Sequence, residues 1–191
     1  MKVPTIKGKD GLILRPMSVA DAKDFRSYFM DSEVTVFLKR HGDAMTLKAE
    51  KEWIKKTQRD PNKATFSIEV DGELIGNVSL NKISKEHKHA EYGIAIGNKK
   101  FWGQGHGTEA GKLILDFAFR RLKLHRVYLS CWAFNERGYR SYKRIGFKDE
   151  GIYREHLYRN GHYHDRFNMG ILKNEFLKLY KKPYGKTIRK N

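Results

Sequence analysis

The sequence predicts an α/β (α+β) chain in which a mixed sheet carries helices on its faces. Three observations predict it. Strand-like and helical runs follow one another in the order β-α-α-β-β-β-α-β-α-β-β, a succession that layers helices on a sheet. Two dipeptides, Asp71-Gly72 and Asn160-Gly161, each stand between β-rich runs and mark two-residue hairpin turns. The stretch FWGQGHGTEAGKLILDFAFR, residues 101–120, passes from a glycine-rich loop directly into helical spacing.

The elements follow in order. LILRP (12–16) alternates and stops at Pro16, which makes it the first strand. Ser18 can cap a helix whose first turn holds Asp21 and which runs to about Met30. Thr46 caps a second helix, LKAEKEWIKKTQ, with Leu47, Trp53 and Ile54 on its apolar side; Pro61 and Asn62 end that region. ATFSIEV and ELIGNVSLNKI are the arms of the first hairpin, and HAEYGIAIG is a further strand. A helix is expected from Thr108, because Ala110, Leu113, Ile114, Phe117 and Ala118 repeat at helical spacing. RVYLSCW (126–132) is β-rich, and NERGYRSYKRIGF holds a short helix that Gly146 terminates. KDEGIY begins another strand, and LYR and HYHDRFNMGIL flank the second turn. The tail, KLYKKPYGKTIRKN, shows no pattern beyond charge. There is no linker, repeat or low-complexity block. Residues 1–191 are therefore expected as one domain, with a core of about 12–172 and a basic tail at 173–191.

Composition narrows the function classes. A chain of 191 residues can bury a sizeable core without disulfides or metals. A single cysteine, Cys131, excludes an internal disulfide framework and a four-cysteine zinc site, and points to the reducing cytoplasm. The N-terminus, MKVPTIKGKD, lacks the apolar region of a secretory signal, and no apolar run approaches the roughly 18 residues of a membrane span. The net charge of +17, from 39 basic and 22 acidic residues, attracts anions: nucleic acid, a membrane surface or a phosphorylated cofactor. The basic residues are scattered, so solubility accounts for them as well as RNA or ribosome proximity does.

The glycine loop lies between a strand ending at Ile96 and the helix. A helix N-terminus presents unpaired N–H groups and partial positive charge, which suit a phosphate. Gly103, Gly105 and Gly107 let the backbone turn its amides toward an anion. No Gly-Lys-Ser/Thr follows, so this is not a P-loop, and Gly-x-Gly-x-Gly differs from the dinucleotide fingerprint. By itself the loop also reads as a tight turn into a helix.

A second segment adds to it. Asn135 lies beyond a strand, Tyr142 follows on the short helix, and Gly146-Phe147 closes that helix. Here the sequence resembles the GNAT superfamily of acetyl-CoA-dependent N-acetyltransferases. The family's pyrophosphate loop, Arg/Gln-x-x-Gly-x-Gly/Ala, is matched by Trp102-Gly-Gln-Gly105-His-Gly107 except at its first position. Its later motif, Asn-x-x-Ser-x-x-x-Tyr-x-x-x-Gly-Phe, is met by Asn135, Tyr142, Gly146 and Phe147, with Gly138 in place of the serine. The resemblance runs from about Leu12 to Leu172. WGQGHGTEAG and GIYREHLYRNGHYHDRFNMGIL look like the branch that holds the Rim-type ribosomal-protein N-terminal acetyltransferases.

The resemblance implies a mostly antiparallel sheet splayed at its centre, where the strand at 91–96 diverges from that at 126–132. Acetyl-CoA would lie in the gap as the cosubstrate. Backbone groups of Ile94, Ala95 and Ile96 would meet the pantetheine arm and polarise the thioester. Amides of Gly103, Gln104, Gly105, His106, Gly107 and Thr108 would hold the pyrophosphate, and Asn135 would contact pantetheine. Tyr142 is the implied acid for the leaving sulfur. Glu91 is the implied base or water relay; the position five residues before Asn135, which carries a glutamate in some Rim-type enzymes, is Ser130 here. The implied acceptor is a protein N-terminal α-amino group, with a small amine (polyamine, amino sugar, amino acid or antibiotic) as the alternative. A non-enzymatic, RNA- or ribosome-binding module with a degenerate version of the fold is the reading from another class. A monomer or homodimer fits either.

Other constellations carry less. His162 and His164 share a strand face, as His87 and His89 do, but no Cys or Glu spacing completes a metal site, so no metal is expected. Cys131 inside YLSCWAF reads as a buried apolar residue. Phe25, Tyr28, Phe29 and Phe37 suit a substrate entrance or the core, and Trp132 and Phe134 suit an acceptor cleft.

Overall fold

The computed structural model describes residues 3–38 and 46–188, so the ends of the expected domain, residues 1–2 and 189–191, lie outside it. Its strands form one nine-stranded sheet. In chain order these are β1 (Thr5–Lys7), β2 (Leu12–Pro16), β3 (Ala64–Val70), β4 (Glu73–Ser84), β5 (His89–Ile96), β6 (Arg126–Trp132), β7 (Lys148–Arg159), β8 (His162–Leu172) and β9 (Lys186–Ile188). Their spatial order is β7-β8-β6-β5-β4-β3-β2-β1-β9, and every pair is antiparallel except β5 with β6. The helices are α1 (Ala22–Met30), α2 (Ser32–Thr35), α3 (Leu47–Arg59), α4 (His106–Asp116), α5 (Glu136–Ile145) and α6 (Lys173–Leu179).

Both hairpin turns form where the dipeptides placed them. Asp71 and Gly72 have φ of 48° and 85°, and Asn160 and Gly161 of 51° and 81°, the left-handed pairs that match strand twist. Strand alternation then sends side chains to two cores. One face packs Phe66, Ile68, Val127, Leu129 and Met169 under Leu113 and Ile114 of α4 and Ile145 of α5. On the other, Phe25 and Phe29 of α1 and Ile54 of α3 close over Met17 and Leu74. The helix starts are capped as read: Ser18 forms a capping box with Asp21, and the Thr46 hydroxyl accepts the Ala49 N–H. Asp21 is also the hub of a buried network. Burial pushes its carboxyl up, but Arg15, the Ser18 N–H and the Ser67 hydroxyl outweigh that and hold it below its usual value.

Two expectations need correction. The tail is structured through Ile188. α6 buries Phe176, and β9 adds to the sheet beside β1. Between them the chain is tied across α4. Arg120 donates to the carbonyls of Tyr180 and Lys181, the Tyr184 N–H donates to Asp116, and the Tyr184 hydroxyl donates to Glu109 at 2.6 Å. Elements of seven and three residues are too short for periodicity to reveal. The second correction is that α4 starts at His106, not Thr108, because the N-cap is Gly105 in the left-handed region at φ 87°.

The feature that positions the site is the parallel pair. β5 and β6 are in register only at His89 with Arg126, Ala90 with Val127 and Glu91 with Tyr128. Beyond those residues the two strands part, while each keeps its other neighbour: β4 alongside β5 up to Ile96, and β8 alongside β6 up to Trp132. The sheet is thus open in its middle, with one edge of β5 left without a partner strand.

Candidate active site

The opening in the sheet leads to a cleft bounded by β5, the glycine loop, the start of α4 and the face of α5. Ile94, Ala95, Ile96, Gly103, Gly105, His106, Gly107, Thr108, Asn135 and Tyr142 all line it. Two expected residues do not. Gln104 turns outward and donates to the Lys100 carbonyl at 2.5 Å. Glu91 sits where β5 and β6 are still paired, and its carboxylate forms an ion pair with Lys82 at 2.9 Å. It shares a face with Gly93 and Ala95, the face on which α1 and α3 pack, as alternation required.

The three glycines serve different ends. Gly103 and Gly105 have φ of 79° and 87°, and a Cβ on either would meet nothing within 4 Å. Their backbone conformation, not crowding by the protein, demands glycine. Gly107 has helical φ; a Cβ there would point at the Ile94 and Ile96 side chains, 3.8 Å away, so its absence keeps the cleft open. No side chain caps α4. The first N–H groups of a helix lack intrahelical acceptors, and here they face a cleft with the positive end of the helix dipole behind them.

α5 supplies the opposite wall. The Asn135 side chain caps it by accepting the Gly138 N–H at 3.0 Å. A Cβ at 138 would lie 2.6 Å from Asn135 Nδ2, so glycine in place of the family's serine lets the Asn135 amide fold over the helix start. That use of Oδ1 leaves the amide NH₂ of Asn135 as its free donor. The Thr108 and Ser141 hydroxyls join α4 to α5 at 2.8 Å. The Arg137 guanidinium lies over the Trp102 ring at 3.7 Å from its centroid, and burial lowers its pKa. The Trp102 indole in turn donates to the Ile96 carbonyl at 2.8 Å. That takes up one lone pair of the Ile96 carbonyl on β5.

Tyr142 stands between the two walls. Its ring is edge-on to Tyr92 at 5.9 Å and to Phe147 at 6.2 Å. Its hydroxyl has no hydrogen-bond partner among the described residues. Burial, and then the neighbouring Cys131 thiol, push its pKa well above the usual phenol value, so it is a proton donor in waiting rather than a base. Cys131 itself is buried, and burial raises its thiol to about 11, which makes it a poor nucleophile.

Sequence reasoning missed Arg137, Ser141 and Arg144, which also line the cleft. The signal was present as basic and hydroxyl residues on one face of NERGYRSYKR, but such a face reads equally as solvated. Phe37 and Leu38, which follow α2, line the cleft as well, and Phe37 packs on Phe134 at 6.2 Å. Phe134 packs in turn on His164 at 5.0 Å. Among the described residues no group of three His, Cys, Asp or Glu side chains could hold a metal, and no helix is long and apolar enough to cross a membrane.

A sheet opened beside an uncapped helix start, with a half-buried tyrosine between, suits a phosphorylated, strand-like donor. Residues 11–148 match the family model described as the acetyltransferase (GNAT) domain, and the chain belongs to that family. It is an acetyl-CoA-dependent N-acetyltransferase, which sets aside the non-enzymatic reading. It is 34% identical over 131 residues to spermidine N(1)-acetyltransferase of Escherichia coli (strain K12), spanning 69% of each chain. It is 36% identical over 117 residues to the putative ribosomal N-acetyltransferase YdaF of Bacillus subtilis (strain 168), spanning 61% of this chain and 63% of that one. The crystal structure of spermidine N-acetyltransferase from Vibrio cholerae in complex with CoA and spermine superposes with a TM-score of 0.81 at 27% identity, covering 87% of this chain and 98% of that one.

Proposed function

We propose that the acceptor is a protein N-terminal α-amino group, acetylated by direct attack in a ternary complex in the reducing cytoplasm. The observation that carries this reading is the charge around the cleft. A polyamine needs carboxylates that are free to receive it. Here Asp31 and Glu33 beside the entrance are both bound by Lys99, at 2.7 and 3.1 Å, and Glu91 is bound by Lys82. Among the described residues that line the cleft there is no Asp or Glu. The resemblance to ribosomal N-acetyltransferases and the net charge of +17 fit work near a ribosome.

In this reading the amine enters neutral, which costs little for an α-amino group with a pKa near 8. Its nitrogen attacks the thioester carbonyl and a C–N bond forms. Backbone N–H groups on the unpartnered edge of β5, around Ile94 and Ala95, stabilise the oxyanion. The C–S bond then breaks, and the sulfur takes the electron pair and a hydrogen bond or proton from Tyr142. The ammonium proton leaves through water toward Glu91. Arg137, Arg144, the Asn135 amide and the amides from Gly103 to Thr108 hold the rest of the donor.

A small-amine acceptor is the second reading, and the likeness to spermidine acetyltransferases favours it. An acceptor screen decides between them. Initial rates with acetyl-CoA are measured on N-terminal peptides of ribosomal proteins, on spermidine and spermine, and on amino sugars. The peptide reading requires the highest kcat/KM on a peptide; a higher value on a polyamine overturns it.

A further inference from the structure

At the mouth of the gap between β5 and β6, one arginine pairs with no carboxylate among the described residues. We propose that Arg166 is a specificity-determining residue that receives a carboxylate carried by the acceptor near its amine, so that the preferred substrate is a protein N-terminus with acidic residues in its first positions. This deepens the reading above and rests on it.

The placement follows from register. Beyond Glu91 and Tyr128, the last parallel pair, the next β6 residues on the Tyr128 face are Ser130 and Trp132. Arg166 of β8 is directly opposite Trp132. Its Nη2 donates to the Ser130 hydroxyl, which sets the guanidinium at the mouth of the gap between β5 and β6. Lys82 lies across that mouth, near enough for Arg166 to disfavour its charge, and is neutralised by Glu91.

The guanidinium is held by a hydroxyl, an imidazole and a ring face, with no carboxylate among them. Ser130 takes one N–H, His156 Nε2 accepts another at 3.3 Å, and the Trp132 ring lies 5.7 Å below. His156 is delivered by a bulge. The β7–β8 register jumps between Tyr153 and Leu157, and the Asp165 carboxylate pins the bulge by accepting the Glu155 N–H at 2.8 Å. The His156 ring then stacks on Trp132 at 6.2 Å. Arg15, Arg120 and Arg126 each pair with a carboxylate, whereas no carboxylate among the described residues pairs with Arg166. A half-buried guanidinium fixed in place with N–H donors unused is a preorganised fork for a carboxylate.

The test uses the full chain, acetyl-CoA and three peptides that share an N-terminal residue: one followed by two glutamates, one by two glutamines, one by two lysines. The wild-type protein should favour the glutamate peptide over the glutamine peptide by about tenfold or more in kcat/KM, the scale of one charge-assisted hydrogen bond. In Arg166→Gln that ratio should fall to near one through KM, and in Arg166→Lys it should survive in part. The wild-type ratio needs no variant, so poor folding of either substitution does not remove the test. If the wild-type protein acetylates the glutamate and glutamine peptides equally, or Arg166→Gln keeps the preference, the inference is wrong and the peptide reading stands. If no peptide is acetylated while spermidine is, both fall.

Discussion

Replacing Tyr142 by Phe removes one hydroxyl and leaves the ring against Tyr92 and Phe147. The size of the effect follows from the proton affinities. The leaving group is a thiol, near pKa 8.5, and an ordinary phenol is near 10. Burial pushes Tyr142 higher still, so complete transfer to the thiolate is uphill by at least about 2 kcal/mol. Tyr142 therefore acts mainly as a hydrogen-bond donor to sulfur as the C–S bond breaks. That places it at the low end of general-acid effects, about 10²-fold or about 2.7 kcal/mol. Steady-state kinetics between pH 7 and 9 at saturating acceptor should show kcat lowered by about 10² and the KM for acetyl-CoA changed by less than about twofold. The phenol stays protonated past pH 10, so the wild-type profile should carry no falling limb from Tyr142 in that range. The hydroxyl has no protein partner among the described residues, so the thermal midpoint should barely move, which separates chemistry from folding. A kcat within about threefold of wild type would remove Tyr142 from the mechanism.

Glu91→Gln should lower kcat by about 10² and move the rising limb of the pH–rate profile, whereas an identical profile would leave the proton to bulk water. Gly107→Val should leave the fold intact, since its Cβ meets only side-chain atoms at 3.8 Å, yet weaken acetyl-CoA binding by more than about tenfold in calorimetry by filling the cleft. Cys131, with a thiol raised to about 11, should be about 0.1% thiolate at pH 8 and resist iodoacetamide until the protein unfolds. Tyr184 is raised by burial and by its bond to Glu109, so its stabilisation is complete below the unfolded value near pH 10 and is lost as pH rises above it. Urea unfolding should accordingly show stability falling above about pH 10, with a shallower fall in Tyr184→Phe.

How much was legible depended on whether a feature is contiguous in the chain. The proposed donor side is two short segments, 102–108 and 135–147, each a loop running into a helix, and the sequence singles out both as residues of one cleft. Within them the misreadings have local causes. The helix was read from Thr108 because the apolar spacing begins at Ala110, but α4 starts two residues earlier, where a left-handed Gly105 caps it. Gln104 was grouped with its neighbours, yet a loop that turns at Gly103 and Gly105 sends the side chain between them outward. The acceptor side had no such signature. Lys82, Glu91, Ser130, His156 and Arg166 come from β4, β5, β6, β7 and β8, and His156 arrives only through a bulge. The tail failed for a related reason: Tyr184 and Asp116 are 68 residues apart, and what orders the tail is hydrogen bonds to α4 rather than a pattern of its own.

The two ends of the cleft share a sign, and that links the acceptor question to ionic strength. At the proposed donor end Arg137, Arg144 and the start of α4 suit a phosphate. At the acceptor end the Lys82–Glu91 pair is neutral and Arg166 adds positive charge. Salt screens such fields over about 8–10 Å, so the KM for acetyl-CoA should rise with added salt whichever acceptor is used. The acceptor KM separates the readings. An acidic N-terminus is drawn in by the same field, so its KM rises with salt too. A polyamine is repelled by it, so screening lowers its KM or leaves it flat. Measuring both constants from 50 to about 300 mM salt therefore reports the sign of the acceptor without any substitution in the protein. A polyamine KM that climbs with salt would mean that carboxylates face the acceptor, and it would overturn the peptide reading.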